Sequence, residues 1–225
     1  MPKELFKTIS HGKRRRIMQV AAKEFARYGY HETNVNRLAE KAGISKGAIY
    51  VYFSNKEDLF ISTVQYWFKD FARVAEEILM EESDSFTKLE NYLVRMIEFG
   101  IKNPALVINY LNLYSAGMAK FSRAMSSQIE RVGASYLLGI LEQGVKKGEM
   151  RRDVDLNITS FILDNELVMF WAAALTPYYR IRFGEFMKVP QEKVDHRLII
   201  QKVREMVALF KNILSPQITS RRQPA

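Results

Sequence analysis

The chain has 225 residues, 48% hydrophobic and 26% charged, with a formal net charge of +9, which favours a small folded module joined to a larger one and excludes a disordered chain. The lack of cysteine excludes disulfides, thiolate nucleophiles and Cys-ligated metal, and His11, His31 and His196 lie too far apart to form a metal set, so no metal or cofactor is expected. No segment offers the ~20 uninterrupted apolar residues of a membrane span. The basic opening MPKELFKTISHGKRRR has no signal-peptide apolar stretch, and a cytoplasmic protein without a membrane partner is expected.

Nearly every stretch carries a helical period, strand-like alternation is missing, and the Gly and Pro residues fall mostly between periodic segments. An all-α fold of about nine helices is predicted. The first helix runs from Gly12 to Tyr28, with Ile17, Val20, Ala21 and Phe25 inward and Gly29 at a cap that needs positive φ. Thr33 offers a hydroxyl cap to a second helix, with Val35, Leu38 and Ala39 inward and a stop at Gly43. Ser45 caps a third, whose inward residues are Ile49 and Phe53. A long helix follows from about Lys56 to Met80, opened by Asn55 and by the acidic Glu57 and Asp58 at the positive end of its dipole.

Beyond the break EESDS comes a helix carrying Phe86, Leu89, Tyr92, Leu93, Met96 and Ile97, ended by Asn103-Pro104. Further helices are expected at about 104–118, 122–147, 156–176 and 195–214, with Gly148 terminating one and Asp155 capping the next. Residues 177–194, with two prolines and a glycine, read as a partly helical connection, and 216–225 as a disordered tail. The organisation predicted is a small helical domain at 1–55 and a larger one at 56–215, for which the residues below point to a helix-turn-helix DNA-binding module and to an effector-binding and dimerisation domain.

The N-terminal helices carry the most chemistry. The first sixty residues hold twelve Lys and Arg against six Asp and Glu, and such a basic footprint suits a polyanion, because each neutralised phosphate releases a counterion. Ala39 and Gly43, four apart, permit a close helix crossing and a sharp turn, and Leu38, Ile44 and Ile49 supply the seam of a helix-turn-helix. On the exposed side of the third helix, Ser45 and Gly47 let backbone N–H groups approach phosphates and Lys46 brings charge. Tyr50 adds a ring for thymine methyls and a hydroxyl. Tyr52 and Lys56 lie at the edge of this surface, and the run Lys13 to Arg16 just ahead of the motif suits a phosphate or minor-groove arm.

The stretch RRRIMQVAAKEFARYGYHETNVNRLAEKAGISKGAIYVYFSNKEDLF resembles the DNA-binding module of TetR-family transcriptional regulators over about fifty residues. The resemblance implies phosphate contacts at Thr33, Tyr52 and Lys56 and recognition contacts at Ser45, Lys46, Gly47 and Tyr50. It also implies a repressor that grips a palindromic operator in double-stranded DNA as a homodimer and releases it on binding a small molecule. Past Phe60 the likeness is architectural, with LEQGVKKGEMRRDVD resembling the loop before a dimerising pair of helices.

Physical reasoning from the C-terminal half agrees. The helices at about 156–176 and 195–214 carry more apolar residues than one buried stripe needs, so pairing each with its symmetry mate would hide the excess in an isologous four-helix interface. Candidate effector-lining residues are Tyr66, Tyr92, Asn109, Asn112, Asn165 and Trp171, since small-molecule sites combine apolar walls with a few polar groups. The effector expected is largely apolar or aromatic, with a polar end met by Asn112 or Asn165. No phosphate-binding glycine loop, nucleophile elbow or zinc-binding histidine pair is present, so an enzyme is not expected. The rival reading is an architectural DNA-binding protein without effector control.

Overall fold

The computed structural model describes residues 2–216, save the side chains at 116, 122–124 and 126–128. Among the described residues are eleven α-helices and no strand: α1 (Glu4–Thr8), α2 (His11–Glu32), α3 (Val35–Ala42), α4 (Lys46–Tyr52), α5 (Lys56–Leu79), α6 (Ser85–Lys102), α7 (Pro104–Asn112), α8 (Ala119–Lys147), α9 (Leu156–Leu175), α10 (Pro177–Met187) and α11 (His196–Leu214). Short 3-10 turns sit at Ala116–Met118 and Gln191–Lys193. The all-α prediction holds, with two more helices than expected. One is α1, in a stretch read only as a basic start. The other is α10, in the segment read as a partly helical connection. Apart from Pro216, the expected tail lies outside the described residues.

Local chemistry explains most helix boundaries. The Ser45 hydroxyl accepts from Ala48 N, Asp155 accepts from Asn157 N and Ile158 N, and Asn55 accepts from Asp58 N, so each supplies an acceptor to otherwise unpaired first-turn amides. Gly43 ends α3 at φ 71°, where its N–H bonds to Ala39 O and Glu40 O, and the left-handed turn it makes sets the crossing of α3 and α4. The cap of α3 is Asn34, not Thr33: the Asn34 side chain accepts from Asn36 N and Arg37 N. Thr33 instead closes α2, its hydroxyl donating to Gly29 O at 2.6 Å. Helix α10 begins with Pro177 in its first turn and ends at Lys188, a non-glycine residue at φ 53°. Within it Gly184 lies so close to the returning chain that a Cβ would stand 2.7 Å from Val189 O.

The chain forms two compact units. The first comprises 2–73 and 99–131 and the second 74–98 and, of the described residues, 132–216. The boundary expected at 55/56 falls inside the first unit. Its physical cause is the core: Ile17, Met18 and Phe25 of α2, Leu38 of α3 and Ile49 of α4 share one apolar cluster with Leu59, Phe60 and Val64 of α5 and with Phe121, Met125 and Ile129 of α8. Phe60 stacks edge-on between Phe25 and Phe121, with both ring centroids 5.0 Å away.

The second unit has its own core, built on Ile78, Leu89, Tyr92, Leu93, Met96, Leu137, Leu141, Leu163, Leu167 and Val203. Among the described residues α9 alone is long and apolar enough to cross a membrane. It carries Asn157, Asp164, Asn165 and Glu166 and buries close to half its residues inside the protein, which is the character of a core helix.

Candidate DNA-binding surface and interior polar groups

Helix α4 turns Ile49 inward, 1% exposed, and leaves Ser45, Lys46 and Gly47 open to solvent with Tyr50 at 39%. The face read from the sequence as the contact face is therefore the outward one. Helix α3, which precedes α4, is fastened to α2 by a polar lock that spacing did not reveal. Glu24 of α2, with a side chain 4% exposed, takes Arg37 Nε at 2.7 Å and Lys41 Nζ at 2.6 Å from α3. The Arg37 guanidinium also lies 3.8 Å from the centre of the Tyr28 ring. Burial of Glu24 works to raise its pKa, but hydrogen bonds and charge from Lys41 and Arg37 outweigh it and hold the carboxyl below its usual 4.5.

A depressed folded-state pKa contributes stability that is full above the unfolded value and lost as pH falls through the folded one. The Glu24→Gln variant should therefore melt lower than the parent at neutral pH, by roughly 1–3 kcal/mol, and should lose less of its remaining stability between pH 6 and about pH 3. Thermal midpoints of both proteins across that range check this. Parallel curves for the two would show that the carboxylate contributes nothing.

Thr33, Tyr52 and Lys56, also expected at the DNA surface, are less exposed than Ser45, Lys46, Gly47 and Tyr50. Thr33 is 3% exposed and donates to Glu24 O as well as to Gly29 O, so its side chain is turned away from any phosphate. Tyr52 is 7% exposed, its ring lying under Phe6 of α1 and beside the Lys13 ammonium. Lys56 is half-buried over the Tyr30 ring and donates to His31 O at 2.7 Å. Of the basic run, Lys13, Arg15 and Arg16 are exposed, while Arg14 reaches back to Lys7 O.

The six side chains proposed for an effector are divided between the units, with Tyr66, Asn109 and Asn112 in the first and Tyr92, Asn165 and Trp171 in the second. Asn109 is buried and donates to Ala22 O at 2.9 Å, tying α7 to α2. Trp171 donates its indole N–H to Met96 O at 3.0 Å, tying α9 to α6. Asn165 is exposed on α9 and donates within its own helix, to Phe161 O. Tyr66 and Asn112 are half-buried in the first unit. Tyr92 differs from all of these: it is fully buried in the second unit and its hydroxyl has no hydrogen-bond partner among the described residues. Burial, with the charge of Asp164 and the nearby Tyr136, pushes its pKa up, so it stays a neutral hydroxyl.

Residues 17–63 match the family described as bacterial regulatory proteins, tetR family. The chain is also 30% identical over 144 residues to the fatty acid metabolism regulator protein of Bacillus subtilis (strain 168), spanning 63% of this chain and 73% of that protein. It belongs to the TetR family. The TetR fold extends beyond the matched segment. The structure of the transcriptional regulator FadR from Bacillus subtilis in complex with stearoyl-CoA superposes with a TM-score of 0.70 at 22% identity, covering 87% of this chain and 96% of that one. The ketosteroid transcriptional regulator KstR2 of Mycobacterium tuberculosis gives 0.66 at 17%, covering 93% and 98%.

In this TetR-family chain the Glu24 lock and the α7-to-α2 bond through Asn109 are the features the sequence reading missed. An acidic residue amid the inward stripe of α2 was the one available sign of the lock.

Proposed function

We propose that the protein is a ligand-responsive transcriptional repressor that acts in the cytoplasm, binds a palindromic operator as a homodimer, and is released by a small, largely apolar effector. The observation that carries the reading is the outward face of α4, where Ser45, Lys46, Gly47 and Tyr50 stand free over a buried Ile49. A helix presented this way suits the major groove, with the open backbone of its first turn meeting phosphate. Lys56 flanks the face, and Tyr52 supports it from beneath.

Dimerisation is supported by what α9 and α11 leave uncovered. Ile158, Phe161, Ile162 and Met169 recur at helical spacing along one side of α9, with Phe161 66% exposed, and Leu209 and Ile213 do the same on α11. Apolar rows of that kind need a partner surface, and a symmetric four-helix pairing gives two recognition helices the two-fold relation a palindrome demands.

For the effector, Tyr92 gives support from within the second unit: a hydroxyl buried among Leu89, Leu93 and Met96 without a partner is ready for a polar group on an otherwise apolar molecule. The stearoyl chain of the acyl-CoA bound by one relative and the ketosteroid named for another supply apolar bodies of that kind. Release would come from the effector favouring a dimer whose recognition helices are no longer about 34 Å apart, and its power is limited to its differential affinity for the two states.

A mobility-shift titration with DNA from upstream of the gene, repeated against excess random DNA and then with stearoyl-CoA or a steroid added, tests the proposal. The expected result is a shift that survives random competitor and is reversed by one of the two ligands. Equal competition by random DNA would make the protein an architectural binder. Specific binding indifferent to both ligands would remove the effector from the reading.

A further inference from the structure

The short helix α1 is packed on the far end of α4, opposite to where Ser45 starts it. Helix α4 has seven residues, and its last carbonyls have no partner within the helix. Two of them are taken by Lys3: its ammonium donates to Tyr50 O at 2.8 Å and its backbone N–H to Tyr52 O at 2.9 Å. A cation at a helix C-terminus also complements the negative end of the helix dipole. Beside this, Phe6 is 3% exposed and packs with ring centroids 5.6 Å from Tyr52 and 4.8 Å from Phe53. The other end of α1 is tied to α2, where Arg14 bonds to Lys7 O and Ser10 accepts from Lys13 N.

We infer that α1 is a C-terminal cap for the recognition helix, and that Lys3 and Phe6 are positioning residues that set how α4 is presented to DNA. This rests on the operator-binding reading above. A helix this short has little stability of its own, because nucleation is unfavourable and few propagating bonds follow it. Its ends must therefore be fixed from outside. Ser45 does so at one end and α1 at the other. Tyr50 links the two roles: its side chain faces solvent while its carbonyl is held by Lys3. Loss of the cap would fray the last turn and let Tyr50 wander, lowering selectivity for the operator while leaving the attraction of the basic surface for any duplex in place.

The test uses the full chain with Lys3→Gln, Phe6→Ala and Phe6→Leu, beside Lys46→Gln as the control for a direct phosphate contact. Lys3→Gln and Phe6→Ala should each weaken operator binding about tenfold, change binding to random DNA less than twofold, and speed amide exchange at Val51, Tyr52 and Phe53 severalfold. Phe6→Leu should restore most of the affinity. The salt dependence separates the alternatives: removing a phosphate contact in each half of a dimer flattens the slope of log K against log salt by about two, as expected for Lys46→Gln, whereas Lys3→Gln should leave the slope unchanged.

A flattened slope for Lys3→Gln would make Lys3 a phosphate contact and overturn the cap. So would exchange rates in α4 equal to those of the parent protein. The exchange measurement needs no DNA, so it decides the cap even where the parent protein fails to select an operator, a failure that would count against the function reading alone.

Discussion

Replacing Lys46 and Tyr50 together by alanine should lower operator affinity at least a hundredfold while leaving thermal stability within about 0.5 kcal/mol of the parent. Both side chains project from the outward face of α4, and neither supports the core, so little folding energy is at stake. A base-edge or phosphate contact is worth about 1–3 kcal/mol. A dimer presents each residue twice, so four contacts at the low end of that range already amount to about 4 kcal/mol, or roughly a thousandfold. Fluorescence anisotropy with operator and random duplexes at fixed salt, together with a melting curve, reads both quantities. Undiminished operator binding by the double variant would remove α4 from the interface.

A larger effect is expected from Phe161→Glu. This ring is among the most exposed apolar groups of α9, in a row with Ile158, Ile162 and Met169. In a two-fold interface the substitution enters twice. Each new carboxylate would be buried without a partner at a cost of about 3 kcal/mol or more, which together raises the dimer dissociation constant about ten-thousandfold. Light scattering should then report single chains at micromolar concentration. Operator binding should fall with it, because a lone half-site contact forfeits the linkage between the two recognition helices. A parent protein that already runs as a single chain, or a variant whose mass equals two chains, would refute the interface.

How much was legible in the sequence depended on the distance between partners. Ser45, Gly43, Asp155 and Gly148 act on amides or carbonyls within a few residues, and their positions and types sufficed to place helix ends. Helix α1 was not legible: its one buried residue is Phe6, and the rings that bury it lie more than forty residues away. Helix α10 was obscured for another reason. Gly184 reads as a breaker, yet it sits inside the helix because a neighbouring carbonyl leaves no room for a side chain, and the turn that ends α10 is made by Lys188, a residue with no stated preference for it.

The interior polar residues show the limit most plainly. Asn109 and Trp171 have the chemistry of ligand-lining groups, but their hydrogen bonds are spent on Ala22 O and Met96 O, which are 87 and 75 residues distant. Composition and spacing are the same in either use. Glu24 is a similar case: its cationic partners are 13 and 17 residues on, on a different helix, outside the separations at which charges meet along one helix.

The rings that join Phe25 of α2 to Phe60 of α5 and Phe121 of α8 mean that the N-terminal helices are not a detachable cassette. Cutting the gene after α4 would bare the greasy side of α2, and grafting this head onto another regulator would require carrying along the helical segments that roof it. On the proposed reading, exchange of operator preference between such proteins is easiest by altering the few outward side chains of α4, and hardest by swapping whole segments.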